Sequence, residues 1–134
     1  MRVVLMLLFA LGLMAGCSRN TNSNAPAPTD TTSAGRHNGM AARLEAAKSI
    51  TYSNDRDVAL AAVARDAAAI GEVAVTKAAI GAMTFVNEKD QAAANAALKL
   101  AEAKQFTAAT EVAKMITFVN LRDATLKKLA TGSH

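Results

Sequence analysis

A chain of 134 residues with one cysteine, few aromatic residues and no tryptophan has room for one domain with a modest core. Its formal charge of +4 is thinly spread and includes Arg2, which excludes nucleic acid as a partner. A lone cysteine also excludes an internal disulfide, and only carboxylates and two distant histidines are left as material for a metal site.

Met1 and Arg2 open the chain, Val3 to Met14 form an almost unbroken apolar run, and Ala15 and Gly16 precede Cys17. A positive start, an apolar stretch and small residues predict an export leader over residues 1–16. The apolar run is about a dozen residues, short of the roughly 20 that span hydrocarbon as a helix. A permanent transmembrane anchor is therefore the poorer alternative, and an ordinary secretory signal beside a free thiol is another.

The segment Leu13-Met14-Ala15-Gly16-Cys17 resembles the bacterial lipobox, with Met14 where that family usually has leucine. The resemblance implies a diacylglyceryl group on the Cys17 thiol and cleavage immediately before it. The membrane would then be a partner through lipid, since two or more acyl chains hold a protein on a bilayer. Ser18 follows the cysteine. By the same resemblance this implies the periplasmic face of the outer membrane, where the host has two membranes.

Residues 17–39 comprise the lipidated end and a stretch rich in Asn, Thr, Ser, Ala, Pro and Gly, with almost nothing to bury. That composition predicts a disordered tether, with His37 a solvated linker residue.

From residue 40 to 131 the sequence repeats itself at a spacing of 33. Ile50-Thr51-Tyr52-Ser53-Asn54-Asp55-Arg56-Asp57 aligns with Met83-Thr84-Phe85-Val86-Asn87-Glu88-Lys89-Asp90 and with Ile116-Thr117-Phe118-Val119-Asn120-Leu121-Arg122-Asp123. The units run from about 40 to 72, 73 to 105 and 106 to 131. Upstream, Met40, Val73 and Phe106 share one register; downstream, Ala64, Ala97 and Ala130 share another.

Within each unit Asn54, Asn87 and Asn120 are predicted N-caps, with Asp57, Asp90 and Asp123 three residues later in a capping-box-like spacing. Leu60, Val63, Ala64, Ala67 and Ile70 then recur at helical intervals, and Gly71 marks a helix end. The predicted helices pair as 40–52 with 55–70, 73–85 with 88–103 and 106–118 with 121–131. A hairpin of this kind buries its apolar face only against a neighbour. The expected fold is thus all-α, a short α-α superhelix of three stacked hairpins after a disordered tether. The region 40–131 resembles tetratricopeptide-like helical repeats, but lacks their Trp, Leu-Gly and Tyr positions, so the resemblance implies the architecture and no binding residues.

For catalysis the material is thin: the histidines are His37 in the tether and His134 at the end, and no nucleophile and base can be paired. Tyr52, Phe85 and Phe118, at equivalent sites, are expected in the inter-repeat core. Arg56, Lys89 and Arg122 each stand one position before the repeated aspartate. Cations in a helix's first turn oppose its dipole by roughly 0.3 to 1 kcal/mol. Two explanations compete: a ladder of ion pairs to Asp57, Asp90 and Asp123, or a basic ridge for an envelope protein or anionic polymer. The expected function is a membrane-tethered helical-repeat binding or adaptor domain without catalysis or cofactors, and the alternative is a purely structural envelope lipoprotein.

Overall fold

The structure is a computed structural model in which residues 31–132 are described. The leader and Cys17 lie outside the described residues. Six α-helices follow one another: α1 (Thr31–Lys48), α2 (Ser53–Ala69), α3 (Val73–Gly81), α4 (Val86–Glu102), α5 (Phe106–Ala113) and α6 (Val119–Thr131). The described chain is all-α, as its composition and periodicity predict.

Packing follows chain order. α1 rests on α2 and α3; α2 also packs on α3 and α4; α4 packs on α5 and α6, and α5 on α6. Alanine makes this closeness possible. Ala64, Ala67 and Ala68 of α2, and Ala93, Ala96, Ala97 and Ala101 of α4, have no solvent exposure. Small side chains let helix axes approach at the short end of the usual 8–10 Å range. Leu60, Ile80, Leu100, Val112 and Ile116 fill the remaining space. The last helix is different: Leu121, Leu126 and Leu129 are only partly buried against this core.

Several elements depart from the sequence expectation at their ends. α1 stops at Lys48, α3 at Gly81 and α5 at Ala113, short of the expected 52, 85 and 118, because the chain leaves the helix to reach the extended N-caps Tyr52, Phe85 and Phe118. α1 begins at Thr31, so residues 31–39 of the expected tether are helical. Leu44 and Ala47 seat the helix on the core. Once nucleated, a helix gains one hydrogen bond for each residue it adds, which offsets part of the cost of poor formers such as Gly35 and Asn38. Ile70, read as the last core residue of α2, is instead its partly exposed C-cap.

The turns between α2 and α3 and between α4 and α5 share one geometry. Gly71 and Lys104 occupy equivalent repeat positions and both are left-handed, with φ of 78° and 64°. At the first turn Glu72 N–H donates to the Ala67 carbonyl and Gly71 N–H to Ala68; at the second, Gln105 N–H donates to Leu100 and Lys104 N–H to Ala101. This is the Schellman pattern, which satisfies carbonyls orphaned at a helix end. Glycine adopts the required φ freely, whereas lysine does so at a cost.

Candidate functional site

The repeated Asn-x-x-Asp spacing does not make local caps. The N-cap residues of α2, α4 and α6 are Tyr52, Phe85 and Phe118, all extended and without a side-chain capping bond. Asn54, Asn87 and Asn120 therefore fall one residue inside their helices. Asp55 and Glu88 lie in the first turns of α2 and α4, where they complement the dipole.

The aspartates reach across to the next unit. Asp57, 1 % exposed, accepts at Oδ2 from the backbone N–H groups of Thr84 and Phe85, both at 2.8 Å. Asp90, fully buried, repeats the contact one unit on: Thr117 N–H donates at 2.9 and 3.0 Å to its two oxygens, and Phe118 N–H at 2.8 Å to Oδ2. Each carboxylate thus fixes the entry of the following unit's second helix, and it ties the N-terminal ends of α2, α4 and α6 side by side. Charge-assisted bonds of this type are shorter and stronger than neutral ones. Asp123 has no following unit among the described residues; its side chain is 67 % exposed and sits 3.7 Å from Arg122 Nε.

Consequently the expected ladder of ion pairs is not formed. Arg56 Nη2 donates to Thr84 Oγ1 of the next unit at 2.8 Å. Lys89 is half-buried; its backbone N–H donates to the Phe85 carbonyl at 2.9 Å, but its side chain makes no ion pair or hydrogen bond among the described residues. Only Arg122 approaches an aspartate, and that one belongs to its own unit. The three cations do stand at equivalent places on adjacent helix starts, but exposed Asp55, Glu88 and Asp123 lie in the same turns. Net charge along this edge is close to balanced.

Other inter-unit ties stand at the opposite end. Lys77 Nζ pairs with Glu111 Oε2 at 2.6 Å, and Gln105 Nε2 donates to the Gly71 carbonyl at 3.1 Å. A Cβ at Gly71 would collide with the Gln105 amide. Within the first unit, Arg43 pairs with Asp66 at 2.7 Å. Hydrogen bonding by Arg43 holds the Asp66 carboxyl below its ordinary range against the opposing effect of burial, and Lys77 does the same for Glu111.

Between α2 and α4 runs a groove of about 380 Å³, walled by Val58, Ala61, Ala62 and Ala92 and edged by Arg65 and Gln91. Asp57 lines it, and the Oδ1 of this residue has no hydrogen-bond partner. Among the described residues, no group of three or more His, Cys, Asp or Glu is placed to hold a metal ion. Nor is any described helix long and apolar enough to cross a membrane.

The aromatic residues overturn their expectation. Tyr52, Phe85 and Phe118 are 75, 39 and 51 % exposed, and Val86 and Val119 beside them 47 and 55 %. At an N-cap the chain arrives at the end of the helix layer, beyond the last turn of core. The backbone amides of Phe85 and Phe118 are drawn inward to Asp57 and Asp90, while the rings stay largely in solvent. Sequence alone indicates a repeated aromatic; the inward pull on the neighbouring backbone is a contact between units and has no local signature.

Comparison of the chain with protein-family models, with curated proteins and with solved structures returns no match.

Proposed function

We propose that this protein is a lipid-anchored, non-catalytic binding or adaptor module of a bacterial cell envelope, its three hairpins stacked as a short α-α superhelix. The anchor in this reading is diacylglyceryl on Cys17, and the site is the periplasmic face of an outer membrane where the host has one. The observation that carries the binding role is the α2/α4 groove, framed by units that Asp57 and Asp90 hold in fixed register. Stacked helical repeats commonly use such continuous surfaces for recognition. An envelope protein is the partner class, since the groove carries Asp57 and Glu88 against Arg65 and offers an anionic polymer little positive charge.

Two measurements test the proposal. Intact mass of membrane-extracted protein is expected to show loss of residues 1–16 and addition of acyl mass at Cys17. Affinity isolation from detergent-solubilised envelopes is expected to recover one partner reproducibly. The same partner is lost when the groove is filled by Ala62→Trp with the helical circular dichroism unchanged. Recovery that is indifferent to Ala62→Trp contradicts the groove, and a mature protein without acyl mass contradicts the anchor.

A further inference from the structure

Five of the exposed large apolar residues, Tyr52, Phe85, Val86, Phe118 and Val119, share one place in the repeat: the N-cap or first residue of α2, α4 or α6. Asp57 and Asp90 bind the backbone at two of these N-caps and hold the three helix starts next to one another. With neighbouring axes about 8–10 Å apart, these side chains recur along an edge roughly 20 Å long. A run of this kind differs from scattered surface hydrophobics and marks an interaction surface. It also recurs in all three units, although burial in the core does not require it.

We infer that this edge rests on a lipid surface, its aromatic and valine side chains in the interfacial layer and Arg56, Lys89 and Arg122 beside the headgroups. The inference rests on the lipid-anchor reading and adds an orientation to it. Three observations select lipid as the occupant. First, only residues 18–30 separate Cys17 from the start of α1; the edge lies at the other end of that helix, roughly 27 Å away, and the segment, at most about 45 Å when fully extended, is long enough to run back to it. The domain then has a bilayer within reach at high effective concentration, so a weak contact suffices. Second, the cations are offset by exposed Asp55, Glu88 and Asp123, so an acidic partner gains little from charge and apolar contact dominates. Third, rings and small branched chains flanked by long basic residues suit the boundary between hydrocarbon and headgroups.

The test uses the full mature lipoprotein reconstituted into vesicles, where acylation of Cys17 leaves an introduced cysteine as the one free thiol. An environment-sensitive fluorophore is placed at Asn120→Cys, on the edge, or at Ala130→Cys, ten residues along the same helix and exposed. Brominated lipid is expected to quench the label at Asn120 and not that at Ala130, and high salt is expected to leave the contrast intact. In the background Tyr52→Ser, Val86→Ser and Val119→Ser the quenching at Asn120 is expected to disappear, with circular dichroism verifying that helix is retained. Equal, low quenching at both sites on an acylated protein overturns the inference alone. A blue-shifted label at Asn120 that brominated lipid does not quench assigns the edge to a second protein copy and overturns it too. Absence of acyl mass on Cys17 overturns both readings.

Discussion

Asp90 and Asp123 occupy the same repeat position, yet one is fully buried with two backbone partners and the other is exposed beside Arg122. The same Thr-Phe-Val-Asn precedes both, the residues that follow differ, and among the described residues a further unit follows only Asp90. The carboxylate is therefore a coupling device whose value depends on a neighbour. α6 shows the same change on its outer side. At the position of Ala61 and Ala94 in the earlier units it carries exposed Lys127.

Substitution of the aspartates is expected to separate the interior from the terminal copy most strongly. Asp90→Ala removes the acceptor of two backbone N–H donors and leaves those part-buried groups without it, at a cost of about 2–4 kcal/mol. Asp57→Ala is expected to approach that value, and Asp123→Ala to stay within about 0.5 kcal/mol. Chemical denaturation at neutral pH measures all three. Equal losses at Asp90 and Asp123 would show that the buried carboxylate does not couple the units.

A smaller contrast is expected at the two left-handed turns. Gly71→Ala forces a Cβ into a positive-φ position and against Gln105, costing about 1–2 kcal/mol. Lys104→Gly relieves the same backbone strain and is expected to raise stability by up to about 1 kcal/mol. Opposite shifts in melting temperature confirm that the turns are equivalent; shifts of one sign would show that side-chain contacts outweigh the backbone.

Smallest of all are the ion pairs. The folded Asp66 and Glu111 carboxyls lie below their ordinary values, so their contribution is present above the unfolded pKa values of about 3.9 and 4.3. It is lost as pH falls through the folded values. Arg43→Gln is expected to cost no more than about 1 kcal/mol at pH near 6, because the pair is part-exposed and screened. The gap to the parent protein should narrow steadily as the solution is acidified below about pH 4. A gap that widens on acidification would contradict the pairing.

Much of this architecture is legible in the sequence because it recurs. The spacing of 33 locates the helix pairs, and the intervals of Leu60, Val63, Ala64 and Ala67 identify a buried face that the structure retains. Gly71 marks a helix end because glycine is the usual residue at positive φ. Lys104 carries no such signal by itself, and only its alignment with Gly71 reveals the same turn. The aspartates are conspicuous, but spacing within one unit suggests a local cap, whereas their amide partners lie 27 and 28 residues downstream. Tyr52, Phe85 and Phe118 mislead for a related reason. Side-chain hydrophobicity speaks for burial, while their position at the layer's end is set by backbone contacts between units. Of the candidate site residues, Cys17 lies outside the described residues, and Arg56, Lys89 and Arg122 share a register without sharing partners.

The coupling role of the aspartates is tested most directly by amide hydrogen exchange in Asp90→Asn. This substitution keeps the side chain's size and removes its charge. Faster exchange is expected at Thr117 and Phe118, with Thr84 and Phe85 still protected by Asp57. Unchanged protection at Thr117 and Phe118, or a uniform loss at all four amides, would contradict unit-to-unit coupling through this carboxylate.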